Sequence, residues 1–295
     1  MVHLGIDVGG SSVKLAALAE GQTIWTAQSS RYANPSPTDI AAAIAEATAG
    51  RAVNLTAVGI CVPGILSPDR SKIELAVNLP ALQGISLEGI VKHALGRATD
   101  TATFYALNDT NAAAYDIYFG RKLSGRLCLL ALGTGVGACV MDESGPVRVD
   151  GDSPGHFGQL DVSIEGHPVI GPDGGAGSLE GYIGAPALAA AYGTTSQALD
   201  QMKVTDPAGR ALVRTIRIAH ALFRPHHVVL AGGVGTRLGR LLPELQAATN
   251  QNLTRIARAG WTLSVGESDF HNAAGAARAA GMAGPVPSPS GRWLG

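Results

Sequence analysis

Four short stretches of this chain combine residue types that can hold phosphate or move a proton. The first is Asp7-Val8-Gly9-Gly10-Ser11-Ser12-Val13-Lys14. A glycine-rich turn lets backbone N–H groups approach phosphate oxygens without a Cβ in the way. Gly9, Gly10, Ser11 and Ser12 are therefore candidates for phosphate binding, with Lys14 beside them. Asp7, at a strand end, suits Mg²⁺ held through water, because that ion dehydrates reluctantly. Taken alone, the same stretch also reads as an ordinary hairpin turn with a solvated aspartate. The second stretch is Gly133-Thr134-Gly135-Val136-Gly137. A dinucleotide fingerprint needs G-x-G-x-x-G between a strand and a helix. Here Ala138 takes the last glycine position and the chain continues as a strand, so a phosphate-binding hairpin fits better. The Walker A pattern is absent from the chain.

The third stretch is Asn108-Asp109-Thr110-Asn111, where a strand ends and a helix begins. The plain reading makes Asp109 a helix cap. A carboxylate at the C-terminal end of a strand in an open α/β sheet is also well placed to meet a ligand. Phosphoryl transfer to a hydroxyl needs such a carboxylate within reach of the attacking oxygen. The fourth stretch, Gly232-Gly233-Val234-Gly235, follows a buried strand and precedes a helix, and could support a base or ribose.

The elements that must position these groups follow from periodicity. His3–Val8 and Val13–Leu18 read as strands joined by the first turn, with a third strand near Ile24–Gln28. Thr38–Ala49 has helical apolar spacing after Pro37, Ala57–Val62 is a buried strand ending at Pro63-Gly64, and Ser86 caps a helix through Leu95. Thr103–Leu107 is a strand and a helix follows from Asp109. Leu127–Leu132, the second glycine turn, Ala138–Asp142 and a strand near Val147 then repeat the strand–turn–strand–strand order, an internal duplication of architecture rather than of sequence. Helices follow from Leu179, Ala208, Leu238 and Asn272, and Val228–Ala231 is a strand.

The chain has 295 residues, enough for two domains. The expected division is 1–107, completed by a C-terminal helix 272–284, and 108–271, with 285–295 as a flexible tail. The formal net charge of −1, without a basic stripe, gives no electrostatic support for nucleic-acid binding. No apolar run has the length of a membrane span. The start lacks the charged and apolar regions of a signal peptide. Cys61, Cys128 and Cys139 sit in apolar runs and read as buried thiols of a reducing, cytoplasmic compartment.

Order and spacing together are more specific than any one stretch. Asp7-x-Gly9-Gly10-Ser11, Pro63-Gly64, Asn78-Leu79-Pro80, Asn108-Asp109, Gly133-Thr134-Gly135-x-Gly137 and Gly232-Gly233 resemble the ROK family of sugar kinases and repressors, over about Leu4 to Met282. The resemblance implies an actin-like, hexokinase-type α/β fold of two domains around a cleft with a hinge. It implies ATP, Mg²⁺, a sugar substrate, and an assembly that in such relatives is often a homodimer. By matching position, Asp7, Gly9, Gly10 and Ser11 form the first phosphate motif. Gly133, Thr134 and Gly135 form the second, and Gly232 and Gly233 the adenosine motif. Asn108 matches the sugar-binding Asn, Asp109 the catalytic base, Glu180 the glutamate that holds a sugar hydroxyl, and Asn78 a segment near the sugar.

The departures from the family pattern carry information. Relatives usually have Gly-Glu-x-Gly-His followed by a cysteine-rich zinc segment. In Gly155-His156-Phe157-Gly158-Gln159, His156 stands for the Glu and Gln159 for the zinc-binding, sugar-contacting His. A shifted alignment makes His156 the family His instead. Gly171, Asp173 and Ser178 replace the three cysteines, so no zinc is expected. Zinc-free relatives exist among polyphosphate-using glucokinases, which leaves polyphosphate open as the donor. The altered pair also implies that glucose is not the best acceptor. Repressors of the family carry a helix-turn-helix before the first motif, and only six residues precede Asp7 here. The resemblance thus favours a kinase over a repressor, and a non-catalytic sugar-binding protein is the alternative.

Overall fold

A computed structural model describes residues 1–51, 54–76, 79–148, 155–258 and 260–283. Asn78 and the segment from residue 285 lie outside the described residues. The chain divides into two compact units, residues 1–116 with the segment from Phe270 onward, and Ile117–Asp269.

The first unit is built on a five-stranded sheet. Strands β1 (Val2–Val8), β2 (Val13–Ala19) and β3 (Gln22–Gln28) form an antiparallel meander, and β4 (Leu55–Val62) and β7 (Thr103–Asn108) add in parallel, in the order β3-β2-β1-β4-β7. A small ribbon of β5 (Ile65–Leu66) and β6 (Ile73–Leu75) stands apart from this sheet. β1 and β4 are buried along most of their length, which their near-continuous apolar runs require. Leu4, Ile6 and Val8 pack with α1 (Pro37–Thr48) and α2 (Leu87–Leu95) through Ile40, Ile44 and Leu87. The opposite face receives α11 (His271–Met282), an alanine-rich helix. That helix comes so close to the sheet that a Cβ on Gly59 would strike the Ala276 carbonyl. Helix α3 (Asp109–Gly120) leaves directly from the end of β7, and the division between units falls within it.

The second unit repeats the plan. Its sheet runs β10-β9-β8-β11-β12, from β8 (Leu127–Leu132), β9 (Val136–Asp142), β10 (Gly145–Pro146), β11 (His227–Ala231) and β12 (Thr262–Val265). The expected strand near Val147 is the short β10, after which the Val147 N–H still donates to the Val140 carbonyl at 2.7 Å. The edge strand β12 was not foreseen. Its helices are α4 (Leu179–Ile183), α5 (Ala185–Tyr192), α6 (Thr195–Gln201), α7 (Pro207–Phe223), α8 (Gly232–Gly235), α9 (Leu242–Asn252) and α10 (Arg255–Arg258). The helix expected from Leu238 begins at Leu242, after a 3₁₀ turn, because Pro243 lacks an N–H and suits a first helical turn. The Gly232–Gly235 segment, expected as a turn, is itself a single helical turn.

Cys61, Cys128 and Cys139 are free and buried, and burial pushes the Cys128 thiol up to about 12. Among the described residues no helix is long and apolar enough to cross a membrane.

Candidate active site

In the first unit, the register of β1 on β2 sets Asp7 opposite Lys14 and leaves Gly9–Ser12 as the turn. The turn is closed by the Gly9 N–H donating to the Ser12 carbonyl at 3.1 Å. Tyr32 clasps it from outside: its hydroxyl donates to the Gly9 carbonyl at 2.7 Å and its N–H to the Ser11 carbonyl at 3.0 Å. Ser12 is buried, its hydroxyl accepting from Gln28 Nε2 at 2.9 Å. Gly10 and Ser11 are exposed, and their N–H groups have no hydrogen-bond partner among the described residues. Two unspent donors on a turn without side-chain cover make a cradle for an anion.

Asp7 is buried at the end of β1. Burial, and then the nearby Asp109 charge, push its carboxyl up to about 6 against the pull of Lys14, Asn272 and Cys61. The Cys61 thiol lies 3.7 Å from Asp7 Oδ1. Asp109 is the first residue of α3. Its Oδ1 accepts from the Thr110 N–H at 2.7 Å and the Thr110 hydroxyl at 3.3 Å. Oδ2 makes no hydrogen bond among the described residues. Burial raises the Asp109 carboxyl above the ordinary carboxylate range, with Thr110 opposing it in part. Asn108 is held from both ends, Nδ2 donating to the Gly64 carbonyl at 3.0 Å and Oδ1 accepting from the Thr110 N–H at 2.8 Å. A second amide proton and a second lone pair remain for a ligand. The paired hard oxygens of Asp7 and Asp109 suit Mg²⁺ and its water shell.

In the second unit, Gly133–Gly135 turns β8 into β9, closed by the Gly133 N–H donating to the Gly135 carbonyl at 2.9 Å. The N–H groups of Thr134 and Gly135 are without partners among the described residues. The next N–H, that of Val136, donates to Glu180 Oε2 at 2.8 Å. Glu180 sits in the first turn of α4, which Ser178 caps by accepting from the Gly181 N–H at 3.2 Å. Its carboxylate lies so near the turn that a Cβ on Gly135 would be 2.9 Å from Oε2. Gly232, at φ +77°, opens α8 against the end of β8, where a Cβ would strike the Leu132 carbonyl. Gly233 has open space where a side chain would stand.

Gln159 and His156 are both exposed. Gln159 Nε2 donates to Asp173 Oδ2 at 2.8 Å. The intervening loop is laced by backbone bonds, Gly171 N–H to the Gly175 carbonyl at 2.8 Å and Gly177 N–H to the Val169 carbonyl at 2.9 Å. No group of three or more His, Cys, Asp or Glu side chains among the described residues is arranged to hold a metal ion. The structure thus brings together Asp7, Gly9–Ser12, Lys14, Asn108 and Asp109 in one unit. In the other it brings together Gly133–Gly135, Glu180 and Gly232. Tyr32 and Asn272 were not singled out from sequence, and Cys61 was read only as a buried thiol, since each reaches its partner from a distant stretch of chain. The same holds for Asp116, which accepts from His271 Nδ1 at 2.6 Å and Arg278 Nε at 2.8 Å and so ties α3 to α11.

Two α/β units of matching strand order, each with a glycine turn at the end of its central hairpin, define the actin-like ATPase fold. The chain belongs to the ROK family, whose profile matches residues 3–283. It is similar to an N-acetyl-D-glucosamine kinase of Erwinia tasmaniensis, at 27% identity over 86% of this chain and 91% of that protein. Among solved structures it is similar to a ROK hexokinase from Thermus thermophilus, with TM-score 0.70 and 22% identity over 96% of this chain and 98% of that one. It is also similar in fold to a ROK family transcriptional regulator homologous to the E. coli MLC protein, with TM-score 0.75 and 15% identity over 95% of this chain and 78% of that one.

Proposed function

We propose that this chain is a kinase that transfers the γ-phosphoryl group of ATP to a hydroxyl of a sugar, with Asp109 as the general base. The observation that carries the reading is the Asp109 carboxylate, which has one oxygen held by Thr110 and Oδ2 without a hydrogen-bond partner among the described residues. A carboxylate raised above its ordinary range is the stronger base near neutral pH. Oδ2 takes the acceptor proton as the hydroxyl oxygen bonds to the γ-phosphorus and the bond to the ADP oxygen breaks. The N–H groups of Gly10, Ser11, Thr134 and Gly135 receive phosphate oxygens, with Ser12 and Lys14 in support. Gly232 and Gly233 receive the nucleoside. Asp7 holds Mg²⁺ through water, and the ion supplies charge neutralisation on the phosphates. Asn108, Glu180, Gln159, His156 and Asn78 bind the acceptor.

The favoured acceptor carries a carbonyl to which His156 can donate, as an N-acetylhexosamine does. The N-acetyl-D-glucosamine kinase named above supports that choice. A coupled ADP-release screen over hexoses, N-acetylhexosamines and polyols, with ATP and polyphosphate as alternative donors, tests the reading. An N-acetylhexosamine with ATP is expected to rank first and glucose well below it. The fold likeness to a regulator favours a second reading, a sugar-binding protein without turnover. Saturable sugar binding with no ADP release from any acceptor would support that one instead.

A further inference from the structure

Helix α7 in the second unit has a face that the phosphoryl-transfer chemistry does not use. Its core side, Ala208, Ala211, Leu212, Thr215, Ile216 and Ala219, is buried. Three arginines, Arg210, Arg214 and Arg217, stand exposed on the other side at spacings of four and three. That spacing places them on one stripe about 10 Å long, at 1.5 Å rise per residue. The stripe borders a cavity of about 430 Å³. The same cavity is lined by the apolar side chains of Ile164, Val204, Val213 and Ala248.

Charge is not balanced there. No carboxylate among the described residues lines the cavity, and the Asp161 carboxylate is held by Ser163, whose hydrogen bonds lower its pKa with help from the Arg214 charge. Arg210 and Arg217 have no ion-pair partner among the described residues. Asp206, the N-cap residue of the helix, is already engaged. Its Oδ2 accepts from the Tyr192 hydroxyl at 2.7 Å and the Lys203 N–H at 2.8 Å. Arg214 donates to the Ser163 carbonyl, which fixes its stem at the cavity wall while its remaining N–H groups stay available. A surface that only needed solubility would intersperse both signs. Three guanidinium groups over an apolar floor, beside a volume sized for a small molecule and with Asp161 alone felt by Arg214 among the described carboxylates, describe a ligand site.

We propose that this cavity binds a small phosphate monoester with a compact organic body, separately from the residues assigned to catalysis. The guanidinium fork matches two phosphate oxygens at once, which a lysine does not. The phosphate lies on the arginine stripe and the body of the ligand covers Ile164, Val204 and Val213. The site is also connected to the acceptor loop within the same unit. Ser163 and Ile164 belong to the segment that carries Gln159, and the Ile164 N–H donates to the Tyr182 hydroxyl of α4, the helix of Glu180.

Binding, not turnover, tests this, so the outcome is independent of the kinase reading. Glucose 6-phosphate is the probe, titrated calorimetrically at fixed ionic strength into the wild-type chain and into the double variant Arg210→Gln/Arg217→Gln. Both substitutions are at exposed positions, and an unchanged melting temperature verifies the fold. The single variant Arg217→Gln serves if the double one does not fold. Wild type is expected to bind saturably, and the variant to bind at least about tenfold more weakly, since charge-assisted hydrogen bonds are lost. Three results overturn the proposal. One is no saturable binding to wild type. Another is a variant that binds within twofold of wild type. The third is probe binding that added sodium chloride weakens to the same extent in wild type and in the double variant, which would reduce the effect to screening.

Discussion

In the first unit the turn after β1 spans four residues, Gly9–Ser12, and Asp7 stands two residues before it, next to the last residue of the strand. In the second the turn after β8 spans three, Gly133–Gly135, and Ala131 stands where the first unit has its aspartate. Both turns lie at the same place in sheets of matching strand order, both are closed by the first glycine N–H, and both leave at least two N–H groups without a partner among the described residues. They differ in where the negative charge comes from. The first unit builds it into the sheet, with Asp7 buried at the strand end and Asp109 at the head of α3. The second takes it from outside the hairpin, as Glu180 reaches over from α4 to hold the Val136 N–H. Duplicated topology therefore supplies two glycine turns with unspent N–H groups, while the pair in which the Asp109 charge raises the Asp7 carboxyl stands in one unit only.

The sharpest way to break this comparison is at Asp7. Asp7→Asn keeps the size and removes the charge. It is expected to lower kcat by about 10²–10³, the usual cost of losing one preorganised electrostatic group. Steady-state kinetics against Mg²⁺ concentration check this, and a wild-type kcat would make Asp7 structural. Next in size is a stability effect. Asp116 sits on α3 seven residues beyond Asp109, and its carboxylate anchors α3 to α11. Removing one partner of such a buried pair costs about 3 kcal/mol. Asp116→Asn should show that loss in urea melts, with kcat of the folded fraction little changed.

The pH dependence follows from the same residue. Burial pushes the Asp116 carboxyl up, but hydrogen bonds from His271 and Arg278 outweigh it and hold the pKa below the usual value. A depressed folded-state pKa stabilises above the unfolded value, about 4, and the gain is lost as pH falls through the folded pKa. The stability difference between wild type and Asp116→Asn should therefore be full at neutral pH and shrink only below about pH 4. A difference that stays constant down to pH 2 contradicts the assignment.

A smaller effect is expected in the second unit. Glu180→Gln keeps an acceptor for the Val136 N–H and loses only the charge offered to the acceptor sugar. An increase in acceptor KM of roughly tenfold, about 1.4 kcal/mol, with nucleotide affinity unchanged is expected. If nucleotide affinity falls instead, Glu180 serves the turn rather than the sugar. The smallest effect is none at all. The loop from Gln159 to Ser178 is held by hydrogen bonds such as Gln159 to Asp173. Chelators should leave the melting temperature unmoved and metal analysis should find well under one zinc per chain.

What sequence could and could not reveal divides along the range of the interactions. The turns Gly9–Ser12 and Gly133–Gly135 were legible because glycine punctuates apolar strand runs locally. Asp109 was legible because its strand and its helix abut in sequence. The capping box of α1 is written locally in Ser36-Pro37-Thr38-Asp39 and was passed over in favour of Pro37. The bond from Val136 to Glu180 spans 44 residues and that from Asp116 to His271 spans 155, and no local pattern encodes either. The strand β12 has only four residues and its exposed Thr262 and half-buried Ser264 alternate with buried or half-buried apolar positions, too short a run to separate from a loop.

The central claim is that Asp109 accepts the proton during transfer to a sugar hydroxyl. The direct test is a rapid-quench measurement of γ-phosphoryl transfer from ATP to the best acceptor, comparing wild type with Asp109→Asn at saturating substrates. Asparagine keeps the shape and the bond to Thr110 but cannot take the proton. The predicted result is transfer slowed by about 10²–10⁴ with ATP and acceptor affinities within a few-fold of wild type. Transfer by Asp109→Asn at the wild-type rate would contradict the account.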